Sequence, residues 1–151
     1  MDHTRRSILK SASALGMLVA LGLVSESVAF AAESAPGFDA KTFADALAAI
    51  GGTPVDSKDI NLNAPEIAEN GAVVPISVTS TIPNTQNIYI FVEKNPNPLS
   101  ASVTIPAGTD PSVITRVKMG ESSKIYAVVK ADGKLYSTTR DTKVTLGGCG
   151  G

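Results

Sequence analysis

The chain has 151 residues, with 13 Lys and Arg against 14 Asp and Glu, one His and one Cys. This length fits a single domain, and a near-neutral charge with no basic stripe argues against nucleic acid as a partner. Zinc and copper centres of the usual kinds need several His, Cys or carboxylate ligands. The composition therefore predicts no dedicated metal site, and nothing in it calls for a cofactor.

The N-terminus has the features of an export signal. Paired Arg5 and Arg6 precede an apolar run at 12–24 and a small-residue site at 29–31. This order is typical of a secretory signal, and twin arginines favour the bacterial Tat route. The run of about thirteen residues is shorter than the roughly twenty that span a bilayer. We predict a cleaved signal peptide at 1–31 and a periplasmic mature protein without a membrane anchor.

The mature chain is predicted to form one domain at residues 38–146, beginning with a helix at about 39–50. The apolar residues of this helix recur at helical spacing, namely Phe43, Leu47 and Ile50. Asp39 is the predicted N-cap, and the glycines at 51–52 are the predicted stop. We expect the apolar stripe to pack on the domain, with a partner-binding helix as the alternative.

The rest of the domain alternates between apolar and polar residues, which predicts short strands. About seven such runs, a number typical of an immunoglobulin-like fold, occur at 60–62, 74–82, 88–92, 99–105, 113–119, 125–130 and 135–140. Asp132-Gly133 is a strong two-residue hairpin signal, and Pro75 predicts an edge or a bulge. The expected fold is mainly β, an immunoglobulin-like antiparallel β-sandwich without the tryptophan and cysteine pair of antibody domains.

The mature chain is poorly equipped for catalysis. Its only histidine, His3, is lost with the predicted signal, so a Cys–His nucleophile pair cannot form. Glu66 and Glu69 lie in a turn-rich segment, where acidic residues are usually solvated. No glycine-rich phosphate loop lies between a strand and a helix. We predict no catalytic residue.

The chain ends with "KVTLGGCGG", which places the only thiol, Cys149, among four glycines: Gly147, Gly148, Gly150 and Gly151. A pentapeptide with one side chain cannot offset the cost of ordering its backbone, so residues 147–151 are predicted to form a flexible arm. At about 3.4 Å per residue, Cys149 can stand roughly 10 Å beyond Leu146. Such an arm suits a carrier whose partners supply the chemistry. A disordered tail with an incidental thiol is the alternative.

Three further segments stand out beside the leader and the terminal "GGCGG". They are "APEIAENGAVVPISV", "IFVEKNPNPL" and "ESSKIYAVVKADGKLYS". Together these segments resemble the SoxY family, the substrate carriers of the bacterial sulfur-oxidising (Sox) system, over essentially the whole chain. "GGCGG" is the most specific of them. The resemblance implies that Cys149 is the covalent attachment point for thiosulfate and later sulfur intermediates.

The same resemblance implies partners. SoxZ would form a heterodimer with this chain. The haem-containing cytochrome SoxAX would conjugate thiosulfate to Cys149, and the hydrolase SoxB would release sulfate. Where present, the sulfane dehydrogenase SoxCD would oxidise the remaining sulfur. The stiff, polar loop at 91–99 is a candidate docking surface for partners, or an ordinary connection between strands.

Two other functional classes stay open at this point. The domain could be a periplasmic adhesion or assembly module that uses Cys149 for intermolecular disulfides. It could also be a redox or thiol-transfer enzyme, which the lack of a second, resolving cysteine argues against.

Overall fold

The computed structural model describes residues 35–146, which form one helix and nine strands. The helix, α1, is Phe43–Ile50. The strands are β1 (Val55–Asp56), β2 (Ile60–Asn63), β3 (Ile67–Ala68), β4 (Val74–Ser80), β5 (Thr85–Val92), β6 (Leu99–Thr104), β7 (Ser112–Val117), β8 (Ser123–Ala131) and β9 (Lys134–Val144). The predicted mainly-β class is confirmed.

The strands form two sheets that face each other as a sandwich. The larger sheet has the order β1-β9-β8-β5-β6, with β3 also paired to β9, and the smaller has the order β2-β4-β7. All pairings are antiparallel except those of β1 and β3, which run parallel to β9. Buried residues of both sheets, among them Ile76, Ile90 and Val129, form the core between them. Burial between two sheets is what stabilises a sandwich that lacks a disulfide.

The helix covers the other face of the larger sheet. Phe43, Leu47 and Ile50 of α1 pack in a second apolar cluster with Phe91 of β5 and Val128 of β8. Because β5 is covered on both faces, its residues 88–92 are all buried and do not alternate. The apolar stripe of the helix therefore packs on its own domain, as expected.

The predicted start of the helix was wrong. Thr42, not Asp39, is the N-cap, and its hydroxyl accepts a hydrogen bond from the backbone N–H of Asp45 at 3.1 Å. Residues 36–39 form a turn instead of helix. The predicted stop is confirmed, since Gly51 has φ 134° and the N–H of Gly52 bonds to Leu47 O at 2.9 Å.

The alternation predicted for 99–105 breaks at one residue. Ile90 pairs with Ala101 but Phe91 pairs with Leu99, so Ser100 is an extra residue in a β-bulge. The bulge turns Leu99 to the helix side of the sheet, where it joins the second cluster, whereas Ala101 packs against the core between the sheets. Leu99 and Ala101 therefore lie on opposite faces, contrary to the prediction.

Two local predictions agree with the structure. Asp132 and Gly133 have φ values of 49° and 73°, the positive pair that a two-residue hairpin with native twist requires. Pro75 lies in β4 opposite Arg116, but β2 ends at Asn63, which pairs with Ser77. Pro75 therefore lies where its strand has no partner on the β2 side, so the missing N–H costs no ladder bond.

Truncating Phe91 will destabilise the domain, because this side chain is fully buried and packs against Phe43 with ring centroids 5.5 Å apart. We expect Phe91→Ala to lower the free energy of unfolding by about 3–5 kcal/mol, measured by urea titration. Phe38, half-buried at the rim of the same cluster, is the matched control. If Phe38→Ala lowered the free energy of unfolding as much as Phe91→Ala does, the cluster would not be centred on Phe91.

Candidate functional site at the base of the C-terminal segment

The last described residues of the chain are hydrogen-bonded to the loop at residues 65–71, which we call the anchoring loop. The N–H of Lys143 donates to Glu66 O at 2.9 Å, and the N–H of Thr145 donates to Ala68 O at 3.1 Å. Leu146 O accepts from the N–H of Gly71 at 2.7 Å. Chain ends usually fray unless they are tied down. Here the backbone is fixed as far as Leu146.

The opposite edge of the same segment is held by a side chain. Strand β8 begins at Ser123, which pairs with Thr142, so no strand residue lies opposite Val144. Ser122 takes that place, because its Oγ accepts the N–H of Val144 at 2.8 Å and lies 3.5 Å from Val144 O. The hydroxyl thus continues the ladder past the end of the strand.

A buried threonine fixes the anchoring loop to β9. Thr142 is 1% exposed, and its hydroxyl donates to Pro65 O at 2.8 Å. Further along, the hydroxyl of Thr145 donates to Glu69 O at 3.1 Å, and the N–H of Met119 donates to Gly71 O at 2.7 Å. The loop is therefore tied both to β9 and to the connection between β7 and β8.

Removing the Thr142 hydroxyl will loosen this anchor without changing the side-chain volume. We expect Thr142→Val to cost about 1–2 kcal/mol of stability, since Pro65 O is left without its donor in a partly buried place. Denaturant titration gives the cost, and hydrogen exchange at the Thr145 N–H reports the loosening. Thr139→Val, exposed on the same strand, is the control. Equal stability of the two variants would show that the buried bond contributes nothing.

The residues predicted from the sequence to be functional lie outside the described range. These are Cys149 with Gly147, Gly148, Gly150 and Gly151, and the export pair Arg5 and Arg6. For Cys149, the structure adds the point at which its segment joins the domain, because Cys149 follows Leu146 by three residues. Sequence reasoning missed the anchors Thr142 and Ser122. A threonine facing inward from a strand is a weak signal, and a serine beside a strand end gives none.

Charged and apolar side chains lie side by side around this base. A shallow cleft beside it is lined by Glu66, Ile67, Arg140, Asp141 and Lys143. The cleft contains both signs of charge, so it has no strong preference for an anion or a cation. Across residues 35–146, no group of three or more His, Cys, Asp or Glu side chains is placed to hold a metal ion.

A second and larger cleft lies far from Leu146, the last residue that the structure describes. It is lined by residues of 80–87 and 104–109 and by Lys130 and Asp132, beside the hairpin that follows β8. Ser123 at the near end of β8 and Ala131 at the far end are about 27 Å apart at roughly 3.4 Å per residue. Cys149 extends only about 10 Å past Leu146. The larger cleft therefore lies beyond its range.

Residues 46–149 match the model of the sulfur oxidation protein SoxY family, so the match covers most of the chain and ends on Cys149. The chain belongs to the SoxY family. No curated protein sequence matches it.

The solved structures include a SoxY family member. The sulfur carrier protein SoxY from Chlorobium limicola f thiosulfatophilum is 43% identical, with a TM-score of 0.61 over 68% of this chain and 94% of that one. A PKD domain of an M14-like peptidase from Thermoplasmatales archaeon SCGC AB-540-F20 is 16% identical, with a TM-score of 0.41 over 61% of this chain and 96% of that one.

Two segments that resembled SoxY sequences have structural roles at this site. "APEIAENG" contains the anchoring loop, and "ESSKIY" supplies Ser122 and the start of β8. The loop at 91–99 is also hydrogen-bonded to other parts of the domain. The amide of Asn95 donates to Lys118 O at 2.6 Å and accepts from Gly120 N, and the amide of Asn97 donates to Phe38 O at 2.8 Å. These contacts favour a connecting role for that loop over a docking role.

The part of the chain that the structure describes has a single helix of eight residues. No helix in it is long and apolar enough to cross a membrane.

Proposed function

We propose that this protein carries sulfur intermediates covalently on Cys149 and presents them to the enzymes of thiosulfate oxidation. The observation that supports this most is that the match to the SoxY family model runs through to Cys149. The anchored base agrees with it, because a carrier needs a fixed point from which its arm projects. The solved relative is itself named a sulfur carrier protein.

Loading the carrier is an oxidation. The Cys149 thiolate and the outer sulfur of thiosulfate form a disulfide bond, and two electrons pass to the haem-containing cytochrome SoxAX. Water then attacks the terminal sulfone sulfur in SoxB, which releases sulfate and two protons and leaves a persulfide on Cys149. A sulfane dehydrogenase, SoxCD, oxidises this remaining sulfur where the host has one.

The protein itself is a carrier and not a catalyst. Its only histidine lies in the predicted signal peptide, and no charged side chain lies within two residues of Cys149 in the sequence. A thiol without a neighbouring base or cation is not activated for attack. The enzymes that receive the arm must therefore supply the activation, together with every cofactor of the cycle.

The proposal includes a compartment and a partner. Residues 1–31 direct Tat export to the periplasm, with Arg5 and Arg6 as the recognised pair. Tat carries folded cargo, commonly because something must be bound before export. No cofactor ligands are evident in this sequence, so binding of the partner SoxZ before export is the explanation that we favour. Residues 147–151 act as the flexible arm of the heterodimer.

Intact-mass measurement on protein purified from cells fed thiosulfate tests the carrier function. We expect sulfur-containing adducts on the wild-type protein and none on Cys149→Ser. A symmetric disulfide dimer as the only modified form would instead support the assembly module that uses Cys149 for intermolecular disulfides. An adduct that persists in Cys149→Ser would place the cargo elsewhere.

A further inference from the structure

Exposed apolar side chains are concentrated around the base of the arm. Within residues 35–146, five large apolar side chains are strongly exposed, and three of them belong to this region: Ile67 at 61%, Val73 at 51% and Leu146 at 61%. We call these three residues the arm-base patch. Single exposed apolar residues are ordinary, but a group of them at one place marks an interaction surface.

Backbone contacts bring the three residues of the patch into one region. Ile67 is in β3, paired with Lys143, three residues before Leu146. Leu146 O is bonded to the N–H of Gly71, two residues before Val73, and the N–H of Val73 is bonded to Asn70 O. All three thus belong to the anchoring loop, to the turn that follows it, or to the segment that the loop holds.

The length of the arm determines which surface a receiving enzyme must touch. Cys149 is three residues beyond Leu146, so its Cα can lie no more than about 10 Å from the Cα of Leu146. An enzyme that takes the thiol into a channel must therefore bring the mouth of that channel close to Leu146. The residues around the arm base then become the contact surface.

We propose that the arm-base patch is the docking surface for these enzymes, and that it seats against an apolar rim around a narrow channel. This rests on the proposed carrier function. Charged residues border the patch, with Glu66, Arg140 and Lys143 in the adjoining cleft. An apolar centre with a polar border is the usual composition of an interface. Because one cysteine serves every enzyme, the partners must use the same patch in turn and exclude one another.

The test separates docking from the capacity to hold cargo. Tetrathionate loads the thiol chemically: the Cys149 thiolate attacks it, thiosulfate leaves, and an S-thiosulfonate remains, without any enzyme. The loaded heterodimer is then given to the sulfate-releasing hydrolase of the Sox system, and sulfate release is followed against carrier concentration. The variants are Ile67→Ser, Val73→Ser and Leu146→Ser. The control is Ile114→Ser, since Ile114 is 85% exposed but lies in β7 of the other sheet.

We expect all variants to load with tetrathionate as the wild type does. Each patch variant should lose about tenfold in kcat/KM, chiefly through a higher KM, as truncation of a central interface residue does. The control should stay within about twofold of the wild type, as a surface substitution outside the interface does.

Three results would overturn the docking proposal. Patch variants that are turned over as fast as the control would show that the enzymes dock elsewhere. Loss of the SoxZ heterodimer in the patch variants, seen by size-exclusion chromatography, would assign the patch to that interface instead. Loaded wild-type protein that releases no sulfate would refute the carrier function and, with it, this inference.

Discussion

Deleting Gly147 and Gly148 together will abolish enzymatic turnover of the cargo while leaving the thiol chemically reactive. The structure fixes the backbone as far as Leu146, so the deletion brings Cys149 about 7 Å closer to the body at roughly 3.4 Å per residue. A misplacement of 1 Å at a reacting atom can already cost a hundredfold in rate. We therefore expect at least a hundredfold loss in sulfate release from tetrathionate-loaded carrier.

Deletion of Gly150 and Gly151 is the matched control, because it also removes two glycines but takes them from the C-terminal side of Cys149. This variant keeps the distance from Leu146 to Cys149 and should keep most of its turnover. Intact-mass measurement verifies that both variants carry equal cargo before the enzyme is added. Normal turnover by the shortened arm would mean that the enzymes reach the thiol without needing its full length.

The double substitution Arg5→Lys and Arg6→Lys will stop export. A twin-arginine signal is an address read by a receptor and not a general electrostatic attraction, so lysines of the same charge do not replace it. We expect the unprocessed precursor to accumulate in the cytoplasm, as measured by immunoblots of cell fractions. Lys10→Arg, which alters the same region of the leader but leaves the pair intact, should be exported normally.

The partner gives the second readout of this experiment. If SoxZ binds before export, it should remain in the cytoplasm with the lysine variant. SoxZ that still reaches the periplasm would refute joint export. Normal export of the lysine variant itself would refute the Tat assignment.

Local sequence signals predicted the strands because each signal had a local physical cause. The hairpin at Asp132-Gly133 needs two positive φ values, which these residues supply. The buried set Val74, Ile76 and Val78 alternates because β4 has only one face on the core. In contrast, β1 and β3 have two residues each, too few to show a period. Their pairing depends on residues of β9 far away in sequence.

The polar stretch 140–143 shows why strand limits were missed. The sequence predicted a run that stops at residue 140, whereas β9 continues without a break from Lys134 to Val144. Its polar residues are compatible with a strand because β9 lies near the edge of the sheet, where Arg140 and Lys143 are exposed. The anchoring loop was likewise read as a turn-rich, solvated segment. Its contacts with β9 have no signature in the side chains of 65–71, since the loop contributes main-chain oxygens to them.

The anchor of the arm joins parts of the chain that are distant in sequence, with Thr142 bonded to a residue 77 positions away and Thr145 to one 76 away. Closing such long loops costs entropy before the contacts can compensate, so they usually form late in folding. We expect a φ-value near zero for Thr142→Val in stopped-flow refolding. A partly folded chain would then lack the contacts that hold Leu146 in place. Only fully folded molecules would present the Cys149 thiol from a fixed point on the domain.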